Sequence, residues 1–409
     1  MASKEMASNE ASLRTEPGAI VDGPFRMSPI ILAIGIAISA VLPVFLTGAL
    51  AVQIRKNLDF TPSLLGAAVA VFFLFAALAS FVSGHLSHRV DGSYVIKCCM
   101  LLSSAVLVAI GTMTVNYVIF VFLLAVSGSV NGALQPHINV FISHVIPRRR
   151  QGFAFGVKQA AVPLATFLAG LAVPTVALTI GWHYAYLAVA PLGIVLFFLV
   201  PKSVAPADRE SKRLVSERPA AAPIVMLAIG MGLGTGAANS FGAFVVSFAV
   251  HAGWKPGLAG LLIVFGSVVG VIARVGNGIA ADRRRGRHFL VALWSIGIGG
   301  LGYLMFSAAY PWLIIPATVI CYGAGWGWNG LFIFAVVRNF TKHAGYATGT
   351  VQSGAYIGSV LGPLAFGFVV ERFGYQLAWT LAAVSAFAAV LAIEIARHLV
   401  ISSQADVVG

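Results

Sequence analysis

Charged side chains are scarce in this chain of 409 residues, because Asp, Glu, Lys and Arg together make up only 10% of it. Soluble domains carry about 25%. Hydrophobic residues make up 59% and the mean hydropathy is +0.92. This composition excludes an ordinary soluble protein and indicates a chain that crosses a membrane several times.

Acidic residues are the scarcest charged group, with 13 Asp and Glu against 26 Lys and Arg, which gives a formal net charge of +13. In a soluble chain such an excess would indicate a nucleic-acid partner. Here the cations cluster in short loops between apolar segments, which is the pattern of a membrane protein. We therefore expect no nucleic-acid partner.

Cysteine is also rare. Cys98, Cys99 and Cys321 all fall inside apolar segments, and three thiols at this spacing match neither a disulfide framework nor a metal site. The glycine clusters 230–236 and 323–330 lie in apolar segments and lack the lysine of a phosphate-binding loop. No nucleophile motif or metal-ligand spacing is present, so we expect no enzyme, no metal and no cofactor.

Long apolar runs are abundant, and about 20 such residues suffice to cross the hydrocarbon as a helix. The sequence predicts twelve: 29–51, 63–84, 94–114, 116–145, 152–178, 183–200, 222–249, 257–280, 289–309, 311–337, 344–369 and 375–397. The predicted fold is an all-α membrane protein with twelve transmembrane helices in two pseudo-symmetric six-helix halves.

Polar segments divide the chain. Residues 1–27 are polar and charged and predict a disordered cytoplasmic N-terminal tail rather than a signal peptide. The other predicted units are an N-terminal half at 28–200, a cytoplasmic linker at 201–221, a C-terminal half at 222–398 and a cytoplasmic C-terminal tail at 399–409.

The distribution of loop cations predicts the orientation. Only Arg55, Lys56, Lys255 and Arg372 fall in loops on one side, whereas all other loop Lys and Arg fall on the side of the tails and linker. The positive-inside rule then places both termini and the linker in the cytoplasm. A composition rich in Ala, Gly and Val, with more Arg than Lys, is compatible with a bacterial inner membrane.

The two halves repeat. At an offset of 193 residues, GFAFGVKQ at 152–159 aligns with GYATGTVQ at 345–352. At an offset of 194, Gly84 and Arg89 align with Gly278 and Arg283. Two repeated six-helix halves around a midplane site are typical of secondary transporters.

The loop after the eighth predicted helix reads Gly278-x-x-x-Asp282-Arg283-x-x-Gly286-Arg287. Its counterpart after the second helix runs from Gly84 to Arg89, with His88 in the place of the aspartate. With this repeated motif the chain resembles the major facilitator superfamily of transporters. The resemblance implies a twelve-helix fold and a gate formed by Gly84, Arg89, Gly278, Asp282 and Arg283.

Two further features bear on the kind of transporter. Drug-exporting members commonly carry an Arg in helix four and a Gly-Pro pattern in helix five, and 123–132 and 152–178 here have neither. Arg274 stands eight residues before Asp282, which is similar to the substrate-binding Arg of oxalate–formate antiporter-like and monocarboxylate transporter-like members. This resemblance implies an organic-anion substrate.

Arg274 and Lys158 are the strongest candidates for substrate contact. A cation at the centre of a membrane helix costs roughly 2.5 to 3.5 kcal/mol, and no carboxylate lies in a neighbouring span to neutralise either one. Arg274 lies on a glycine-rich helix face with its Cα about 12 Å above the helix end. We expect Arg274 to bind a carboxylate and Lys158 to bind the same or a second group from the other half.

Two alternatives remain for these cations: snorkelling to the interface, and hydrogen bonding to backbone carbonyls of broken helices. Other polar or aromatic residues within the predicted helices complete the expected substrate path. They are Gln159, Asn131, His137, Asn329, Trp326, Gln352 and Tyr356.

The sequence thus predicts a secondary active transporter that moves a small mono- or dicarboxylate by alternating access. Coupling would be anion exchange, or proton symport through His137 or Lys158, and we expect a monomer in the bilayer. The alternative is a proton-coupled efflux pump for drugs or other small metabolites. A pump for lipophilic cations would need intramembrane carboxylates, which the predicted spans offer only at their ends.

Overall fold

The computed structural model describes residues 27–86, 90–145, 156–202, 221–283, 288–340 and 343–405. Over these ranges the chain is helical without strands, and twelve helices are long and apolar enough to cross a membrane. The predicted all-α, twelve-helix fold is confirmed. The first six are α1 Ser28–Ala49, α2 Pro62–Leu86, α3 Gly92–Met113, α4 Tyr117–Val145, α5 Gly156–Ala177 and α6 Trp182–Leu199. The last six are α7 Ala221–His251, α8 Pro256–Arg283, α9 His288–Ser307, α10 Pro311–Asn339, α11 Ala344–Phe373 and α12 Tyr375–Ala405.

Three differences from the predicted spans concern helix ends and continuity. A short helix, Ala51–Leu58, follows α1, and α12 continues to Ala405, so much of the segment predicted as the tail 399–409 is helical. α10 is not continuous, since it contains a π-helical turn at Cys321–Gly325. Residues 1–26 and 203–220, which hold nearly all of the predicted N-terminal tail and linker, lie outside the described residues.

Glycines bring the first six and last six helices together at the ends of the bundle remote from residues 201–221, here called the far side. A Cβ built on Gly48 of α1 would lie 2.9 Å from the carbonyl oxygen of Gly242 in α7. A Cβ on Gly66 of α2 would lie 2.3 Å from the carbonyl oxygen of Pro363 in α11. No larger residue fits at these crossings, so the far side is closed by direct backbone contact.

A carboxylate adds to this far-side closure. Oε2 of Glu371, in α11, accepts a hydrogen bond of 3.0 Å from the backbone N–H of Ser63 in the first turn of α2. The first amides of a helix have no partner within the helix, and an acidic group there is favourable. Glu371 therefore caps a helix of the other half.

At the opposite end of the bundle, here called the linker side, two pairs of helices from different halves face each other. On α5 and α8, a Cβ built on Gly156 would lie 3.7 Å from Cα of Gly278. On α2 and α11, a Cβ built on Gly84, Gly345 or Gly349 would meet no neighbouring atom of the described residues within 4 Å, although Tyr356 lies beside Ser80 nearer the middle of the bundle. Among the described residues, the α5–α8 seam is thus more closely packed at the linker side than the α2–α11 seam.

Candidate functional site

Arg274 points into the bundle, as its helix face predicts, and only 5% of its surface is exposed. Gly270 and Gly266, one and two turns before Arg274, allow α8 to lie directly against α10. A Cβ on Gly266 would fall 2.2 Å from the ring of Tyr322, and one on Gly270 would fall 3.4 Å from the same ring. Glycine spacing therefore sets both the depth and the direction of the guanidinium.

Two backbone carbonyls hold the Arg274 guanidinium. Nη1 donates to the carbonyl oxygen of Gln159 in α5, and Nη2 donates to that of Trp326 in α10 at 2.9 Å. The Gln159 carbonyl is available because the residue four positions later is Pro163, which has no N–H to donate to it. Arg274 of the last six helices is thereby tied to a helix of the first six.

The second carbonyl comes from the interruption of α10. The π-helical turn Cys321–Gly325 is followed by a non-helical turn at 326–328, and the α-helix resumes at Asn329. Such interruptions leave carbonyls without helical partners. Asn277 of α8 donates to one of them, the Gly327 carbonyl, at 3.3 Å. The hydropathy of 311–337 gives no sign of this break, although its glycines permit it.

Lys158 is also buried, with 7% of its surface exposed. Its Nζ donates to Oε1 of Gln135 at 2.8 Å and to Oδ1 of Asn139 at 2.7 Å, both in α4. Nε2 of Gln135 in turn donates to Oδ1 of Asn131 at a long 3.4 Å. Neither Lys158 nor Arg274 snorkels to the surface, whereas bonding to carbonyls of interrupted helices is what Arg274 does.

Neither buried cation meets a carboxylate among the described side chains. The ion pairs found there lie at the linker-side end of α12, where Glu394 contacts Arg397 at 2.5 Å and His398 at 3.1 Å. Arg274 donates to the backbone carbonyl of Gln159, the residue that follows Lys158, whereas the Lys158 ammonium donates to side chains of α4. Both buried cations, one from each half, are therefore bonded to neutral oxygens.

An aromatic wall lies beside Arg274. Cζ of Arg274 is 5.9 Å from the ring centroid of Trp326. That ring packs 5.5 Å from Phe45 of α1, 6.2 Å from Phe241 of α7 and 5.5 Å from Tyr322. Buried aromatic rings from both halves thus surround the Trp326 ring that adjoins the guanidinium.

The remaining predicted path residues are less closely gathered. His137 is 2% exposed, and since each residue turns a helix by about 100°, it faces the opposite side of α4 from Gln135 and Asn139. Asn329 lies just after the break in α10, and its Oδ1 is buried without a partner among the described residues. Gln352 is exposed on α11, and Tyr356 is half-buried beside Ser80 of α2.

The predicted gate is described only in part. Gly84 and Gly278 are placed as given above, whereas Arg89 lies outside the described residues. Asp282 and Arg283 belong to the last turn of α8, but their side chains also lie outside what the structure describes. The charge pairs expected of this gate stay a prediction.

Gln135 and Asn139 are not among the site residues predicted from the sequence. The signal was present, since Asn131, Gln135 and Asn139 recur at intervals of four and so share one helix face. What the sequence could not indicate was that this face turns toward Lys158.

Comparison with protein-family profiles matches residues 30–349 to the Major Facilitator Superfamily. The chain belongs to that superfamily. It is accordingly a transporter and not an enzyme, and the resemblance inferred from the repeated motif is confirmed.

Individual relatives of this superfamily member agree. The gentisate transporter of Corynebacterium glutamicum is 24% identical over 374 residues, which is 83% of this chain and 79% of that protein. The fold is similar to crystal structures of a bacterial homologue of the human lysosomal transporter Spinster, in inward-facing occupied and unoccupied conformations. Both give a TM-score of 0.66 at 14% identity, covering 94% and 91% of this chain and 97% and 96% of the other.

Proposed function

We propose that this protein is a secondary active transporter of small organic anions, with Arg274 and Lys158 binding the anionic group. The observation that carries the proposal is the pair of buried cations, one from each half, that meet only neutral oxygens among the described side chains. Intramembrane ionisable residues generally mark a substrate or ion pathway. The missing negative charge is supplied by the cargo.

A carboxylate is the preferred anionic group. The guanidinium fork of Arg can donate to both oxygens of a carboxylate, and such charge-assisted bonds are about twice as strong as bonds to neutral acceptors. An incoming carboxylate therefore displaces the Gln159 or Trp326 carbonyl from Arg274. Mono- and dicarboxylates both meet this requirement, since Lys158 offers a second cation.

An aromatic body on the substrate is favoured by two observations. The Trp326 ring lies beside the Arg274 guanidinium and packs edge to face against Phe45 of the other half. The curated relative from Corynebacterium glutamicum is a gentisate transporter, and gentisate is an aromatic carboxylate. We therefore place hydroxylated benzoates first among the candidate substrates.

The proposed mechanism is alternating access, in which the half at 28–200 rocks against the half at 222–398 about the level of the two cations. The structure is closed at Gly48 and Gly66 on the far side, and on the linker side Gly345 and Gly349 of α11 meet no close neighbour among the described residues. With no anion bound, two unshielded charges oppose closure of the linker side. A bound anion removes that repulsion and lets the carrier reorient.

The proposal extends to topology and coupling. We place both termini and the linker in the cytoplasm, in a bacterial inner membrane, with the protein acting as a monomer. Coupling occurs by exchange against a second anion, or by protons carried through Lys158 or His137.

Substitution of the cations tests the site. We expect Arg274→Lys and Lys158→Gln each to abolish uptake of a hydroxybenzoate into proteoliposomes, because Lys lacks the planar fork and Gln lacks the charge. Arg338→Lys is the matched control, since Arg338 lies at the exposed end of α10. Uptake unchanged in either cation variant would remove that residue from the site.

Ligand screening tests the substrate class. Thermal-shift titration of the purified wild-type protein with benzoate, 2,5-dihydroxybenzoate and a small dicarboxylate should raise the melting temperature with at least one of these acids. Lipophilic organic cations should give no shift. If only the lipophilic organic cations raised the melting temperature, the alternative function would be favoured, namely a proton-coupled efflux pump.

A further inference from the structure

Lys158 is held by two amide side chains of α4. The Gln135 and Asn139 oxygens accept from Nζ at 2.8 and 2.7 Å. We propose that Gln135 and Asn139 are positioning residues that fix the Lys158 ammonium with neutral oxygens, so that its full charge stays available to the transported anion. The inference rests on the proposed function, because it concerns the same anion site.

The physical reason is the difference between satisfying hydrogen bonds and cancelling charge. A buried ammonium needs acceptors for its N–H groups, and an unpaired one carries a large desolvation penalty. A carboxylate would satisfy these bonds but also neutralise the cation, leaving nothing to attract a second anion. An amide oxygen accepts the same bonds and leaves the net charge of the pair at one positive unit.

The number of donors leaves one for the cargo in this proposal. An ammonium has three N–H donors. Two of them donate to Gln135 and Asn139, the partners of the Lys158 ammonium among the described residues. In the proposed site the third N–H donates to a substrate oxygen while the amides keep the side chain in place.

The support behind the two amides is rigid. α4 packs against α2 through small residues, since a Cβ built on Gly128 would lie 2.1 Å from the carbonyl oxygen of Phe72, and one on Gly132 would lie 1.9 Å from that of Ala76. Gln135 is further braced by Asn131. A binding group held by packed, hydrogen-bonded neighbours is pre-organised for its ligand.

The cation of the other half is held in the same way. Arg274 donates to the Gln159 and Trp326 carbonyls, which are also neutral. The four acceptors of the two cations among the described residues are therefore all uncharged oxygens. This pattern is expected if the positive charge is to be neutralised by the cargo and not by the protein.

A purely structural role would be that Gln135 and Asn139 only satisfy a buried lysine. Isosteric acids separate the two roles, because Asn139→Asp and Gln135→Glu keep the side-chain shape and can still accept from Nζ. If the role is structural, both variants bind anions as the wild type does. If the proposal holds, the new carboxylate neutralises Lys158 and anion affinity falls by roughly a hundredfold.

The experiment compares purified full-length wild type, Asn139→Asp, Gln135→Glu and a control, Asn339→Asp. Asn339 donates only within its own helix, to the Ala335 carbonyl, at the end of α10. Isothermal titration with benzoate and 2,5-dihydroxybenzoate gives affinities, and thermal melting reports folding. We expect near wild-type melting in all variants and the hundredfold loss of affinity only in the two variants beside Lys158.

The outcomes keep the inference and the proposed function apart. If the wild type binds no acid of the panel, the proposed function is wrong. If the wild type binds and both acidic variants bind equally well, the inference is wrong while the function stands. Failure of both variants to fold would also contradict the inference, because a carboxylate offers Lys158 the same hydrogen bonds; if only one fails, the other decides.

Discussion

At the scale of single residues, the site depends on carbonyls that lack a helical donor. Pro163 removes the amide that would otherwise donate to the Gln159 carbonyl, and Arg274 donates to it instead. A residue with no polar side chain thus decides where a buried charge is held. The role of Pro163 can be recognised in the sequence only once the contact between Arg274 and the Gln159 carbonyl is known.

Replacing this proline tests the arrangement. We expect Pro163→Ala to return an N–H to the Gln159 carbonyl, which weakens the bond that an incoming anion must displace from Arg274. Since one hydrogen bond contributes about 1 kcal/mol, anion affinity should rise by roughly fivefold. Titration of 2,5-dihydroxybenzoate measures this change.

Pro174→Ala is the matched control for this prediction, because Pro174 lies on the same helix α5 in the π-helical turn 173–177, remote from Arg274. It should leave affinity within about twofold of the wild type. A fall in affinity with Pro163→Ala, or an equal rise in both variants, would show that Arg274 does not exchange the Gln159 carbonyl for the anion.

At the scale of helices, the sequence repeat relates a glycine pair between α5 and α8 to an equivalent glycine pair between α11 and α2. The offsets 193 and 194 map Gly156 onto Gly349 and Gly278 onto Gly84. The first pair, Gly156 and Gly278, is in contact between α5 and α8, whereas a Cβ built on Gly349 or Gly84 meets no atom of the described residues within 4 Å. Among the described residues, equivalent helix pairs are therefore packed differently at the linker side.

Cysteine pairs report on these two seams. In a background with Cys98, Cys99 and Cys321 replaced, the Gly156→Cys/Gly278→Cys pair should form a disulfide without substrate, because the backbones approach closely enough. Gly84→Cys/Gly349→Cys should cross-link only when a transported anion is added. Gel mobility before and after reduction measures both.

Two results would contradict this prediction. Cross-linking of the α2–α11 pair at full yield without substrate would mean that the open seam is not the resting state. No cross-linking under any condition would mean that the seam does not close during transport.

At the scale of the whole molecule, closure of the far side combines glycine contacts with a polar contact between halves. Glu371 of α11 caps the first turn of α2 through the Ser63 amide. In the proposed alternating-access mechanism this bond breaks when the far side opens. Because an acidic group at a helix N-terminus is favourable, the cap should bias the carrier toward the far-side-closed state.

Removal of the cap should shift this equilibrium. We expect Glu371→Ala to raise the far-side-open to far-side-closed ratio, since the carboxylate that caps α2 from the other half is lost. Spin labels at Lys56 and Lys255, exposed on the far side of different halves, report it as a longer distance in pulsed electron resonance. Glu371→Gln, which keeps an acceptor oxygen, should shift the ratio less; an unchanged distance distribution in Glu371→Ala would exclude the capping role.

The sequence alone determined the twelve spans, the superfamily, and the burial of Arg274 and Lys158. These properties follow from local hydropathy, glycine spacing and motif, which do not depend on how helices rotate against one another. The break in α10 is harder to predict from hydropathy, because a π-helical turn followed by a tight turn is as apolar as the helix it interrupts.

Only the tertiary structure decided which oxygens hold the cations, that His137 turns away from the Lys158 site, and that α5 and α8 are in contact at the linker side. A few tens of degrees of rotation move a side chain from the site to the core, and a span's hydropathy is the same in either case. Gln135 and Asn139 illustrate what the sequence cannot predict. Their spacing of four residues places them on one helix face, but the packing of α4 against α5 decides that this face contacts Lys158.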